Sequence, residues 1–165
     1  MRILDVPFVA RLLSMASLLS VLSSWAAADT LIPLKLHNQL DTFYINIGVA
    51  GGLDEEYLVD TGAGYMTITN ATLARSQEAG TATYLRNMDG RMADGSVLRV
   101  ALYRISHITI GNSCTLRDVE VAVLPGASRG LLGLSALRRT SPFEFSVDPP
   151  MLRLSNCTTS ALAAE

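Results

Sequence analysis

The sequence has no run of basic residues. Its 13 lysines and arginines are interspersed among 15 acids, for a formal net charge of −2. Nothing in it tracks a phosphate backbone or an anionic membrane surface, so nucleic-acid binding is set aside. No Cys-x-x-Cys pair occurs, and the two histidines, His37 and His107, stand far apart in strand-like stretches. Neither pattern supports a metal site, and no cofactor is expected. Internal repeats and low-complexity segments are missing too. The longest apolar stretch, Leu12 to Trp25, is shorter than the roughly 18 residues that a membrane-spanning helix needs. At 165 residues the chain has room for one domain with a hydrophobic core.

That apolar stretch, with Arg2 and Arg11 beside it and Ala26 to Ala28 behind it, reads as an export signal over residues 1–28, with cleavage after Ala28. Asp5 is unusual in such a leader, and an uncleaved membrane anchor is the alternative. The expected product is an exported, periplasmic or secreted protein with one domain over residues 29–157 and a tail over residues 158–165 that has little to hold it down. Cys114 and Cys157 both lie in the exported part. An even count in an oxidising compartment suggests one disulfide, with two unpaired thiols as the alternative.

Period-two alternation dominates the rest. Ile32, Leu34 and Leu36 alternate with Pro33, Lys35 and His37, which predicts a strand that Pro33 confines to an edge. Phe43, Ile45, Ile47 and Val49 mark a second strand, and Tyr57 to Val59 returns as the other arm of a hairpin. Asn70 is a candidate helix N-cap for residues 71–79, with Gly80 as the stop. Asp89-Gly90 and Asp94-Gly95 read as two turns, the second opening a long strand from Val97 to Ile110 whose register blurs between Arg104 and His107. Val119, Val121 and Val123 return beside it. A second short helix is expected over residues 134–139, and Phe143 to Val147 and Leu152 to Leu154 complete the strands. Short, closely spaced strands with two short helices indicate a mostly antiparallel β barrel or sandwich.

One stretch carries chemistry. Tyr57-Leu58-Val59 ends in Asp60, set directly against Thr61-Gly62, which places a carboxylate at a strand tip where solvation is poor. Asp and Gly are common turn formers, and turn chemistry alone would account for Asp-Thr-Gly. The functional alternative is a carboxylate held by backbone amides and sharing its proton with a second one.

The order of elements bears on that choice. A hairpin, Asp60-Thr61-Gly62-Ala63, a short helix, the Asp94-Gly95 hairpin, paired strands and Gly130-Leu131-Leu132-Gly133 follow one another. Over residues 31–155 this resembles the retropepsin-like aspartic proteases, in particular their exported bacterial members. The resemblance implies a closed antiparallel β barrel of the acid-protease type with two short helices. It also implies that Asp60 is the catalytic carboxylate, that Thr61 locks two turns together across a dimer, and that Gly62 and Ala63 shape the turn and donate amides. Ala93-Asp94-Gly95-Ser96 resembles the tip of the flap that closes over a peptide, and Leu131, Leu132 and Gly133 resemble the apolar motif beneath the turn.

Two carboxylates about 3 Å apart cannot both ionise cheaply and so share one proton, as aspartic proteases do. Only one Asp-Thr-Gly is present, so the second carboxylate is expected from a second copy in a two-fold homodimer. The expected activity is that of an aspartic endopeptidase acting on extended peptide or protein segments; the alternative is a catalytically silent module that binds a peptide or partner protein in the same cleft. One departure bears on this choice. Gly64 stands where the family usually has Ser, Thr or Asp after the Ala, which removes a side chain that normally bonds near the catalytic carboxylate.

Overall fold

The computed structural model describes residues 29–37 and 41–157; the expected leader (1–28) and tail (158–165) lie outside the described residues. In chain order the elements are β1 (Thr30–Pro33), β2 (Lys35–His37), β3 (Thr42–Val49), β4 (Asp54–Val59), β5 (Met66–Ile68), α1 (Asn70–Glu78), β6 (Ala82–Arg91), β7 (Val97–Ile110), β8 (Cys114–Val123), β9 (Gly130–Leu132), α2 (Leu134–Leu137), which runs into a 3-10 turn at Arg138–Thr140, β10 (Phe143–Val147) and β11 (Pro150–Leu154).

Strands β3, β4, β9, β5, β8 and β7 are neighbours in that order, and pairing of β3 with β7 closes them into a barrel, with Ile47 opposite Ile110 and Val49 opposite Ile108. β2 extends the ring beside β3, and β6 extends it beside β7. A second, three-stranded sheet runs β1-β11-β10. This is the mostly β barrel with two short helices that the alternation and the resemblance imply. Among the described residues two pairings are parallel, β4 with β9 and β5 with β8, and both lie at the centre of the site described below.

Alternation explains what is buried. Ile45, Ile47 and Val49 of β3, Ile105, Ile108 and Ile110 of β7, and Val119, Val121 and Val123 of β8 meet inside the barrel with Tyr57, Met66, Ile68, Leu132, Leu137, Leu152 and Leu154. Burying each such aliphatic side chain stabilises the fold by roughly 1.5–3 kcal/mol. A smaller cluster, Val100, Leu102 and Ala122, sits where β6 and β7 leave the barrel as a hairpin, with Tyr65, Leu85, Met88, Leu98 and Leu124 packed on it. Cys114 is bonded to Cys157, which ties the start of β8 to the chain just past β11.

Three local expectations are corrected. The stretch from Ile32 to His37 is two strands: the chain crosses from one sheet to the other at Leu34, whose N–H donates to the Pro150 carbonyl at 3.1 Å. Among the described strands β1 pairs only with β11, so Pro33 does lie on an edge. Asp89-Gly90 is not a turn; both residues lie within β6, opposite Arg99 and Leu98, and the Asp89 carboxylate reaches Arg99 across the ladder at 3.3 Å. The N-cap of α1 is Thr69 rather than Asn70, because the Thr69 hydroxyl accepts the Thr72 N–H at 3.1 Å while its backbone is still extended. Gly80, at φ 69, ends that helix as expected.

Candidate active site

β4 delivers Asp60 to one end of the barrel. The strand is pinned by parallel pairing with β9 (Tyr57 with Gly130, Leu58 with Leu131, Val59 with Leu132), and the Asp60 N–H continues the ladder by donating to the Leu132 carbonyl at 3.1 Å. The chain then turns back on its own carboxylate. Asp60 Oδ1 accepts the N–H of Gly62 at 2.9 Å and of Ala63 at 3.2 Å. Among the described residues nothing donates to Oδ2. The half-buried carboxylate is thus fixed in orientation by one oxygen and presents the other. Thr61 beside it is exposed, with no hydrogen-bond partner of its side chain among the described residues.

The second apolar motif crosses directly beneath this turn. After β9 the Leu134 N–H donates to the Ala63 carbonyl at 2.8 Å. Gly133 is pressed so close that a Cβ there would stand 2.2 Å from the Tyr65 carbonyl oxygen and 2.9 Å from that of Ala63. A side chain would push the turn away, so this approach needs glycine. The resemblance gives Leu131 and Leu132 one role; the structure gives them two. Neighbouring strand residues face opposite sides, so Leu132 is fully buried in the barrel core while Leu131 lines the groove above.

Two side chains that the sequence does not single out brace the same junction. The Thr67 hydroxyl accepts the Leu131 N–H at 3.0 Å, where β5 touches β9 through a single residue pair. Ser135 Oγ accepts the Met66 N–H at 2.8 Å and donates to the Glu120 carbonyl at 2.9 Å, joining β5, β8 and α2. No local pattern marks either residue, since each acts on a strand remote in sequence.

Above the turn lies a groove of ≈ 680 Å³. Asp60, Gly62, Ala63 and Gly64 form one wall; Val100, Ala122, Leu124 and Leu131 form an apolar floor; and Met88 to Ala93 of the β6–β7 hairpin form the other side. At the hairpin's end the Met92 N–H donates to the Ser96 carbonyl at 2.8 Å, and Gly95 takes φ 84. Asp94 Oδ1 accepts both the Ser96 hydroxyl at 2.7 Å and the Ser96 N–H at 2.9 Å. Those two bonds, the hydroxyl's first, hold the exposed Asp94 carboxyl below the usual carboxylate range. Of the four residues expected at the flap tip, Ala93 lines the groove, whereas Asp94, Gly95 and Ser96 form the exposed outer end.

Two other features frame the site. The Tyr65 hydroxyl lies 3.5 Å from Arg86, whose guanidinium is also 3.9 Å from Glu120, so the residue after Gly64 touches the hairpin. Beneath β4, burial first and the Glu55 charge second push the Tyr57 phenol well above its ordinary value. Tyr57 therefore stays neutral and packs under Gly130, where a Cβ would come within 2.0 Å of its ring. Among the described residues no group of three or more His, Cys, Asp or Glu is arranged to hold a metal ion.

The family model described as "gag-polyprotein putative aspartyl protease" matches residues 45–139, a span that runs from β3 past α2 and contains both motifs. Among solved structures, the chain is similar to a retropepsin-like aspartic protease from Rickettsia conorii, with 22% sequence identity, a TM-score of 0.52, and coverage of 78% of this chain and 91% of that one. That likeness is one of fold. Comparison with curated protein sequences gave no match.

Proposed function

Given that the chain belongs to the retropepsin-like, gag-polyprotein type of aspartic protease family, we propose that it is an aspartic endopeptidase whose active site is completed by a second copy of itself. The observation that carries this reading is Asp60. Two backbone amides bind one of its oxygens, the other is left without a donor among the described residues, and the residue lines an apolar groove flanked by a hairpin.

The need for a second copy comes from the carboxylates on that groove. Asp89 also lines it, but its side chain is bonded to Arg99. Among the described residues a single chain therefore offers one suitable acid, and a two-fold axis beside Asp60 would bring the second. Thr61, exposed and without a side-chain partner among the described residues, is the residue that would bond across that axis. In the reaction, the ionised carboxylate takes a proton from water as the water oxygen bonds to the peptide carbonyl carbon, and the protonated one gives its proton to the carbonyl oxygen. The carboxyl that took the water's proton then gives it to the leaving amine as the C–N bond of the diol breaks, while one diol hydroxyl returns its proton to the other carboxylate as the C=O bond re-forms. The hairpin would close over an extended peptide and exclude water.

A second reading keeps the groove and drops the chemistry: a silent module that binds a peptide or partner protein. Gly64 favours it, because no side chain at that position bonds beside Asp60. Export after cleavage at Ala28, leaving a domain over residues 29–157, is part of the first reading.

The deciding experiment is hydrolysis of a mixed peptide library by purified protein from acidic to neutral pH, beside Asp60→Asn and Asp60→Ala, with sedimentation to give the oligomeric state. Loss of cleavage in both variants by about a hundredfold or more, with dimers retained, supports the reading. Equal cleavage by wild type and Asp60→Asn removes Asp60 from the mechanism. A monomer that cleaves at full rate removes the shared site. Intact mass after export reports whether the leader is cut.

A further inference from the structure

Four glycines belong to the two motifs at the site, and their surroundings differ. A Cβ on Gly130 would enter the Tyr57 ring, one on Gly133 would strike the Tyr65 carbonyl, and one on Gly62 would stand 3.2 Å from Asp60 Oδ1. Gly64 is the exception: among the described residues a Cβ there would meet nothing within 4 Å. Its backbone is also outside the left-handed region, unlike that of Gly95 at the hairpin end. Neither packing nor backbone conformation therefore calls for glycine at position 64, although this residue lines the groove directly beside the Asp60 turn.

The rest of the groove lining is mostly apolar. Val100 and Ala122 are buried, Leu124 and Leu131 are half-buried, and Met88 and Met92 reach over from the hairpin. Methionine side chains are flexible and polarisable and adapt to the shape of an apolar partner. Apart from Asp60, the charged residues of the lining are engaged: the Asp89 carboxylate is bonded to Arg99, and the Arg91 guanidinium reaches the Gly95 carbonyl at 3.4 Å.

We propose that Gly64 is a specificity-determining position, its absent side chain opening a subsite that takes one large, uncharged apolar side chain, of the Leu, Met or Phe class, from an extended peptide. This rests on the reading of the groove as a peptide site, although it does not depend on the peptide being cut. Because residue 64 is on the groove lining and a Cβ there has open space around it, a larger side chain at that position has room to compete with the peptide's side chain. A pocket of this kind separates large from small apolar residues by about tenfold to a few hundredfold.

The test uses wild type, Gly64→Ala and Gly64→Val, with thermal unfolding to verify that each variant is folded. In library cleavage, wild type is expected to favour large apolar residues at one fixed position relative to the cut bond. Gly64→Val should lower kcat/KM for those peptides by about tenfold or more relative to peptides with Ala at that position. Gly64→Ala should fall between, and preferences at other positions should stay as they were. Unchanged preference at every position in both variants overturns the inference while leaving the endopeptidase reading intact.

If wild type cuts nothing, the endopeptidase reading falls and binding decides the inference. A single Leu is then walked through an Ala-rich peptide, and affinity is measured for wild type and Gly64→Val. Tighter binding by about tenfold at one Leu position, lost in Gly64→Val, supports the subsite. Equal affinities for the two proteins across the series overturn it.

Discussion

Gly133 and Tyr65 touch backbone to backbone: a Cβ on the glycine would lie 2.2 Å from the tyrosine carbonyl oxygen and 2.5 Å from its carbonyl carbon. The contact clamps the end of β9 against the chain that leaves the Asp60 turn. Because Gly133 has an extended backbone, at φ −96 and ψ −178, the restriction is one of space rather than of dihedral angle.

Gly133→Ala should accordingly destabilise the fold by about 1–3 kcal/mol, since the clash is with backbone that cannot rotate away. Gly64, where an added Cβ meets nothing, is the natural control. Alanine there should be neutral or stabilising by about 0.5 kcal/mol, through the lower conformational entropy of the unfolded chain. Urea midpoints of the two variants provide the check, and equal losses would refute the packing argument.

Ser135 provides a second measurable link. Its hydroxyl accepts from Met66 and donates to the Glu120 carbonyl, so Ser135→Ala leaves the Met66 N–H and that carbonyl without this partner. A loss of about 1–2 kcal/mol is expected. Amide exchange at Met66 should quicken by more than the global loss accounts for; unchanged exchange there would count against the brace.

The hairpin end carries a pH dependence. Asp94 is held below the usual carboxylate range by Ser96, so its folded-state value lies beneath its unfolded-state value. The turn's stabilisation is then fully present above the unfolded-state value and is lost as pH falls through the folded-state value. The group is fully exposed, so the effect is local to the hairpin end. An NMR titration should find Asp94 titrating low in wild type and moving upward in Ser96→Ala; no difference between the two would remove Ser96 as the cause.

The Cys114–Cys157 bond closes a separation of 43 residues. In the chain-entropy model such a link stabilises by about 4 kcal/mol, an upper figure for most proteins. The Cys114→Ala, Cys157→Ala double variant should unfold at clearly lower temperature, and reductant should lower the wild-type midpoint while leaving that of the variant alone. A midpoint insensitive to reductant would show that the bond contributes nothing.

Much of the site was legible from local pattern. The alternation of Ile45, Ile47 and Val49, the apolar approach to Asp60, the glycine at the hairpin end and the stop at Gly80 each depend on residues a few positions apart, and each is found where the pattern placed it. The blurred register between Arg104 and His107 has a structural cause. The spacing of buried residues in β7 slips from two to three at Leu102, Ile105 and Ile108, and in the paired β8 it does the same between Leu116 and Val119, around Asp118 at φ 52. An irregularity of this sort is set by the partner strand, so a period-two reading passes over it.

Sequence by itself determined the alternating strands β3, β7, β8, β10 and β11, the carboxylate at the end of β4 and the order of the two motifs, because side-chain alternation and turn chemistry act over a few residues. Tertiary structure decided the rest: that β3 meets β7 to close the barrel, that Leu131 faces the groove and Leu132 the core, that Thr67 and Ser135 brace the turn, and that Gly64 stands in open space. Each of these depends on which distant segment lies alongside, and contacts between remote segments leave no periodic trace in the chain.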